Sequence, residues 1–136
     1  MSFQQIKKED TKRPDGKNCI LIYGFDEAEV NKIMLFSKKK GIDKCIVANE
    51  NSLDNIISNL INEDIEVSNN SRNAIKSSLI LFNAVSNYEL HHFIENFSEL
   101  GIKKPLYAVV TKTSINWKLG DLLEELLREK KSFNKN

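Results

Sequence analysis

A compact group of hydroxyl, cationic and amide side chains lies between positions 111 and 117. The segment reads Thr-Lys-Thr-Ser-Ile-Asn-Trp and precedes a leucine-rich stretch with helical spacing. Hydroxyls, an ammonium group, an amide and the free N–H groups of a helix N-terminus together favour a phosphate or carboxylate ligand. The sequence therefore predicts a binding site for a small anion or nucleotide, formed by Thr111, Lys112, Thr113, Ser114, Asn116 and Trp117.

The same loop also has a purely structural interpretation. Asn116 or Ser114 would cap the helix that follows, while Ile115 and Trp117 would close the end of the core. Capping and burial account for most of these residue types. Both interpretations remain open from the sequence.

A metal site is the other chemistry that the spacing suggests, because Glu89 and His92 form a Glu-x-x-His pair. Such sites need further carboxylates from other helices, and Glu89 already has a role in a helix cap. We therefore interpret His91 and His92 as surface histidines and predict no metal. Glycine-rich phosphate loops and the Gly-x-Ser-x-Gly elbow are also absent from the sequence, so no cofactor and no catalytic constellation are predicted.

The composition indicates one ordinary domain. The chain has 136 residues, a formal net charge of +1 and 29% charged residues, so a partner attracted mainly by charge, such as DNA or an anionic membrane, is not indicated. Cys19 and Cys45 lie in apolar runs and predict buried free thiols. No apolar stretch is long enough for a membrane span, and the expected compartment is the cytoplasm.

Strand and helix patterns alternate in the first half of the chain. The apolar run 19–23 predicts a strand, Asp26 and Glu29 form a capping box that predicts a helix start, and a second strand is predicted at 45–48. The two helices have predicted apolar stripes at Val30, Ile33, Met34 and Ser37, and at Leu53, Ile56, Ile57, Leu60 and Ile61.

The same series returns roughly sixty residues later. Strands are predicted at 79–82 and 106–110, Ser86 and Glu89 repeat the capping box, and leucines from 119 to 127 mark the last helix. Asn83 takes the place of Gly24, and both residue types tolerate a positive φ. We predict a single α/β domain at 18–130 made of repeats 18–62 and 78–128, a polar connection at 63–77, a disordered tail at 1–17 and a tail at 131–136.

Strands that alternate with helices predict a mainly parallel four-stranded sheet flanked by helices. With strands numbered along the chain, the order 2-1-3-4 is favoured. The turns 24–26 and 83–86 would then line one crevice beyond the carboxyl ends of the central strands, where such sheets bind ligands. A ferredoxin-like antiparallel sheet is the alternative.

The second half of the chain also resembles a known family. Over residues 79–127, a strand ending in Ala-Val-Val is followed by Thr-x-Thr at 111–113, by Trp117 and by a Glu-Leu-Leu helix. This combination resembles an uncharacterised bacterial domain family of unknown function, many of whose members have proline where this chain has Lys112. The resemblance implies a small bacterial cytosolic protein with no assigned activity.

These observations favour a non-enzymatic interaction or regulatory module, although enzymatic activity is left open. A protein partner or a second copy would contact the outer sheet edges and apolar side chains such as Phe25 and Tyr88. A small-anion or nucleotide binder that uses the loop 111–117 is the alternative.

Overall fold

In the computed structural model, which describes residues 11–64 and 72–134, four strands form one mixed sheet in the order β2-β1-β3-β4. The strands are β1 (Cys19–Tyr23), β2 (Lys44–Ala48), β3 (Leu79–Asn83) and β4 (Leu106–Val109). The predicted order is confirmed, and the sheet is flanked by helices as predicted. The two central strands are buried along nearly their whole length, as their continuous apolar runs indicate.

Helices cover both faces of this sheet. The helices are α1 (Glu27–Lys39), α2 (Ile57–Ile61), α3 (Asn87–Asn96) and α4 (Leu119–Asn134), with short 3₁₀ turns at Glu50–Ser52, Phe97–Leu100 and Ser114–Asn116. Both predicted capping boxes are present, because Asp26 and Ser86 each accept a hydrogen bond from the backbone N–H three residues later.

Two hydrophobic clusters lie on opposite sides of the sheet. One packs α1 and α3 against the sheet, and its rings meet edge to face at Phe93, whose centroid lies 4.8 Å from that of Phe36 and 5.2 Å from that of Phe82. The other packs α2 and α4 against Leu21 and Leu81. Each cluster draws residues from both halves of the chain.

The two halves meet through an antiparallel pair at the centre of the sheet. Strands β1 and β2 are parallel, as are β3 and β4, but β1 pairs with β3 in antiparallel register, with Leu21 opposite Leu81. Because β1 and β3 run in opposite directions, their carboxyl ends lie at opposite ends of the sheet. The prediction that the turns 24–26 and 83–86 line one crevice is wrong for this reason.

Two helical stripes differ from those predicted. In α1, Met34 is 43% exposed and Phe36 is buried instead. In the second helix, the predicted stripe begins too early, because the helix itself starts at Ile57. Leu53 is buried in the preceding turn, and Ile56 is 38% exposed and forms an isolated antiparallel bridge with Lys118.

The backbone leaves β1 and β3 through similar left-handed residues. Gly24 has a φ of 85°, as predicted, but in the second half the positive φ of 52° belongs to Ala84 and not to Asn83. The carbonyl oxygen of Ala84 accepts a hydrogen bond of 2.8 Å from the buried side chain of Asn18, which holds this turn. The internal duplication itself remains a prediction.

Parts of three predicted segments lie outside the described residues: 1–10 of the tail 1–17, 65–71 of the connection 63–77, and 135–136 of the tail 131–136. Within the described part of the first segment, Arg13 contacts the folded domain. Its guanidinium donates to both carboxylate oxygens of Glu89, at 2.9 and 2.6 Å, and to the carbonyl oxygen of Gly41 at 2.7 Å.

Candidate functional site

The loop after β4 uses two of its hydroxyl groups to hold its own turn. The Thr111 N–H donates to Ser114 Oγ at 2.9 Å, and the Ser114 N–H donates to Thr111 Oγ1 at 3.0 Å. The two hydroxyl oxygens are 3.1 Å apart and also share a hydrogen bond. These hydroxyls therefore stabilise the 3₁₀ turn, which reduces what they can offer to a ligand.

The N-terminus of α4 is likewise paired within the protein. The Leu119 N–H donates to the Asn55 carbonyl oxygen at 3.0 Å, and the Gly120 N–H donates to the Leu53 carbonyl oxygen at 2.8 Å. In return, the Ile57 N–H donates to the Trp117 carbonyl oxygen at 2.9 Å. The backbone groups at the starts of α2 and α4 thus form hydrogen bonds with each other, so these α4 N–H groups are not available to an anion.

The remaining predicted site residues are placed on different surfaces. Lys112, Thr113 and Asn116 are exposed, and Trp117 is 36% exposed. Lys112 lines a cavity of about 460 Å³ beyond the carboxyl ends of β3 and β4, together with Asn83. Thr111, Thr113, Ser114 and Trp117 line a neighbouring cavity of about 230 Å³, Thr111 also borders the cavity of Lys112, and Asn116 borders a third. The structure therefore does not bring all six predicted residues around one space.

The outer edge of β4 carries backbone groups without a partner strand in the described part of the chain. The Leu106 N–H donates to Ser78 O at 2.8 Å, and the Val110 N–H donates to Phe82 O at 2.9 Å. Because a strand alternates its bonding direction at each residue, the N–H and C=O groups of Tyr107 and Val109 point away from β3. This edge is one of the two that the sequence analysis proposed as contact surfaces.

A small apolar cavity, about 230 Å³ in volume, borders this edge. Its floor is formed by the buried or partly buried Ala108, Leu122 and Leu126, and Trp117 also lines it. Glu125 and Glu129 form its rim on α4. No signal in the sequence marks this floor as a site, although the alternation of leucines and glutamates on the last helix indicates which side chains border it.

The histidine pair has no metal-site geometry around it. The ring of His92 lies 5.1 Å from that of Tyr88, and its neighbour His91 is exposed. No cluster of three metal-ligating side chains occurs among residues 11–64 and 72–134. Burial raises the pKa of the Glu89 carboxyl, but its bonds to Arg13 and the Ser86 backbone outweigh burial, so the pKa lies below its ordinary value. Glu89 is thus committed to its cap and its ion pair.

Both cysteines are free thiols in apolar surroundings. Burial raises the pKa of Cys19 to about 11 and that of Cys45 to about 12. A thiol with so high a pKa carries little thiolate at neutral pH and is a poor nucleophile. These side chains therefore pack as small hydrophobes.

The fold and these surfaces define a small α/β domain with an unpaired sheet edge beside an apolar cavity. Residues 78–133 match the family model described as Domain of unknown function (DUF3783), which confirms the resemblance predicted for the second half. No curated protein and no solved structure matches the chain. Among the described helices, none has the length and apolarity that crossing a bilayer requires.

Proposed function

We propose that this chain is a non-enzymatic interaction module whose β4 edge receives an extended segment of a partner protein. The observation that supports this function most directly is the outward direction of the Tyr107 and Val109 backbone groups beside the apolar cavity. Strand addition to an open sheet edge obtains affinity from such main-chain groups and specificity from a neighbouring pocket.

The edge of β2 is the weaker candidate for the same role. Its first residue, Lys44, carries a charge and forms an ion pair of 2.6 Å with Glu63. Charged residues on an edge strand oppose the addition of another strand. The four residues of β4 are uncharged, whereas an exposed valine is present on both edges, Val47 on β2 and Val109 on β4. Strand addition is therefore favoured at β4.

The size of this surface predicts weak, reversible binding. Two outward residues provide up to four main-chain hydrogen bonds, worth about 1 kcal/mol each, and one buried apolar side chain adds about 2 kcal/mol. Ordering the partner segment offsets part of this gain. Dissociation constants in the micromolar to millimolar range follow, which suits a regulatory contact.

Substitution of Val109 tests the function. Val109→Pro removes the outward N–H without removing a bond to β3, whereas Val109→Thr keeps the N–H and nearly the same shape. Each protein is immobilised and challenged with a displayed library of random peptides of about nine residues, a length that spans β4 and its flanks in extended form. We expect enrichment on the wild type and Val109→Thr, and a loss of about tenfold on Val109→Pro.

Circular dichroism and thermal melting must show that Val109→Pro is folded before its binding is compared. Equal enrichment on Val109→Pro and Val109→Thr would contradict the proposed edge. So would peptides that fail to enrich on the wild type beyond the bare support.

The small-anion or nucleotide site remains the second candidate, supported by the position of Lys112 and Asn83 at the carboxyl ends of β3 and β4. Asp15 lines the same cavity and repels an anion, so we rank this function lower. A thermal-shift panel of nucleotides and phosphometabolites tests it, because a ligand at 100 times its dissociation constant stabilises the fold by about 2.7 kcal/mol. A shift that Lys112→Gln removes would support it.

We also propose the bacterial cytoplasm as the compartment. The resemblance noted in the sequence implies a bacterial cytosolic protein, and the two free thiols, one buried and one partly buried, are compatible with a reducing environment.

A further inference from the structure

The charges around β4 identify the chemistry of the segment that fits there, an inference that rests on the proposed strand addition. Lys103 and Lys104 precede the strand and Lys112 follows it, and all three are exposed. Within the described residues, Lys104 and Lys112 have no carboxylate at ion-pair distance. Each end of the open edge therefore carries a lysine that is not ion-paired among the described residues, and at the Lys112 end Asp15 lines the adjoining cavity.

The backbone limits how a second copy of this chain could pair along the same edge. Antiparallel self-pairing that uses all outward groups places Tyr107 of one copy opposite Val109 of the other. Two other registers would pair Tyr107 with Tyr107 or Val109 with Val109. The first would need an N–H from Pro105, which has none, and the second would need the Thr111 N–H, which already donates to Ser114.

The one complete register brings like charges together. In that register Lys104 of one copy, two residues before β4, lies at the same end of the strand pair as Lys112 of the other copy, which follows β4 in a turn. Like charges brought to the same end of a strand pair oppose pairing, and this occurs at both ends. The lysines thus disfavour a second copy and favour a partner with acidic ends.

The middle of the β4 edge favours a different kind of partner side chain from the one favoured at its ends. A partner side chain directed towards α4 enters the cavity over Ala108, Leu122 and Leu126. A carboxylate there would lose its hydration and would lie near Glu125 and Glu129. An apolar side chain fits this position, and a uniformly acidic segment does not.

We propose that β4 recognises an extended protein segment with an apolar centre and acidic residues at both ends. Because lysines lie at both ends of the strand, the preference holds whether the segment runs parallel or antiparallel to β4. Charge at the ends then selects the partner, while the cavity and the main chain of β4 provide the contact.

Three peptide libraries test this proposal. Each has a randomised centre of about five residues, and the fixed ends are aspartate and glutamate, asparagine and glutamine, or lysine and arginine. We expect the acidic-ended library to be enriched about fivefold over the amide-ended library on the wild-type chain, and the basic-ended library to be depleted.

A charge-reversal variant separates local recognition from the net charge of the protein. Lys104→Glu combined with Lys112→Glu should reverse the order of the three libraries. The control combines Lys38→Glu with Lys39→Glu, which makes the same change in net charge at the exposed C-terminal end of α1 and should preserve the wild-type order.

The results also distinguish this inference from the proposed strand addition on which it rests. Equal enrichment of the three libraries, with the loss on Val109→Pro unchanged, overturns the charge preference and is still compatible with strand addition. A preference that survives reversal at Lys104 and Lys112 also overturns the inference. No enrichment of any library on the wild-type chain overturns both.

Discussion

At the scale of single residues, Gly24 has two reasons to be glycine. Its φ of 85° is left-handed, and a Cβ placed there would lie 2.1 Å from the Ser77 carbonyl oxygen and 2.9 Å from the Ser78 Cα. Because both neighbours are backbone atoms, the strand β3 would have to move. We predict that Gly24→Ala lowers the free energy of unfolding by about 3 kcal/mol or more, measured by urea denaturation.

Gly101 provides the matched control for that substitution. Its φ of 69° is also left-handed, but a Cβ at Gly101 meets no atom within 4 Å. Gly101→Ala should therefore cost only the backbone strain, about 1 kcal/mol. Similar losses for the two variants would show that the close approach of Ser77 has no energetic weight.

At this scale, the sequence predicts the helix caps correctly but does not predict which residue takes the left-handed conformation after β3. The capping boxes at Asp26 and Ser86 depend on side chains only three residues apart, so the sequence contains the whole interaction. The left-handed residue Ala84 has no such signal. Its conformation depends on a hydrogen bond from Asn18, a residue distant in the chain, and so the sequence suggested Asn83 instead.

At the scale of elements, the segment before β1 is attached to the domain by Arg13. The guanidinium bridges Glu89 at the start of α3 and Gly41 after α1. Because the pKa of Glu89 is lowered, this pair stabilises the fold above the ordinary pKa of 4.5, and the stability is lost as the pH falls through the lowered value.

Replacing this arginine should therefore have a pH-dependent effect. Arg13→Gln should lower the free energy of unfolding by about 1 kcal/mol at most near neutral pH, since the pair is partly exposed. The difference from the wild type should be smaller at an acidic pH well below 4.5, the ordinary pKa of the carboxyl, because Glu89 loses its charge in both proteins as the pH falls through its lowered pKa. Lys12→Gln is the control, and urea denaturation at both pH values is the measurement. A difference that does not change with pH would rule out the ion pair as its source.

The direction of β3 shows what the sequence could not provide at this scale. Apolar runs at 19–23 and 79–82 predict buried strands and their place at the centre of the sheet, because burial on both faces leaves a compositional signal. That signal carries no direction. The chain between Asn62 and Leu79 includes no complete helical pattern, so either direction was open, and the antiparallel pairing of Leu21 with Leu81 emerges only in the folded domain.

The candidate surface at the β4 edge was likewise predictable only in part. An open edge at β4 follows from the strand order, which the sequence predicted. The cavity beside it depends on the packing of α4 and on Trp117, whose carbonyl oxygen accepts a hydrogen bond from the Ile57 N–H next to the bridge between Ile56 and Lys118. The same bridge shortens α2 relative to the predicted stripe, because Ile56 pairs with a strand-like residue and does not join the helix.

At the scale of the whole molecule, the two halves depend on each other for their cores. Strands β1 and β3 pair at the centre, each hydrophobic cluster contains residues from both halves, and the starts of α2 and α4 exchange backbone hydrogen bonds. The stretch that matches the family, 78–133, therefore contains five of the fourteen buried residues of one cluster and five of the ten of the other. That stretch alone is not expected to be an independent folding unit.

Splitting the chain tests this interdependence. We predict that fragments 1–68 and 69–136 are each largely unfolded alone, because every central strand would lose a neighbour and expose its apolar side chains. Mixed in equal amounts, they should assemble, since all contacts between the halves other than the severed connection remain available. Far-UV circular dichroism and amide dispersion in nuclear magnetic resonance spectra measure both states. A monomeric 69–136 fragment with a dispersed spectrum would mean that β3, α3, β4 and α4 form a stable core without β1.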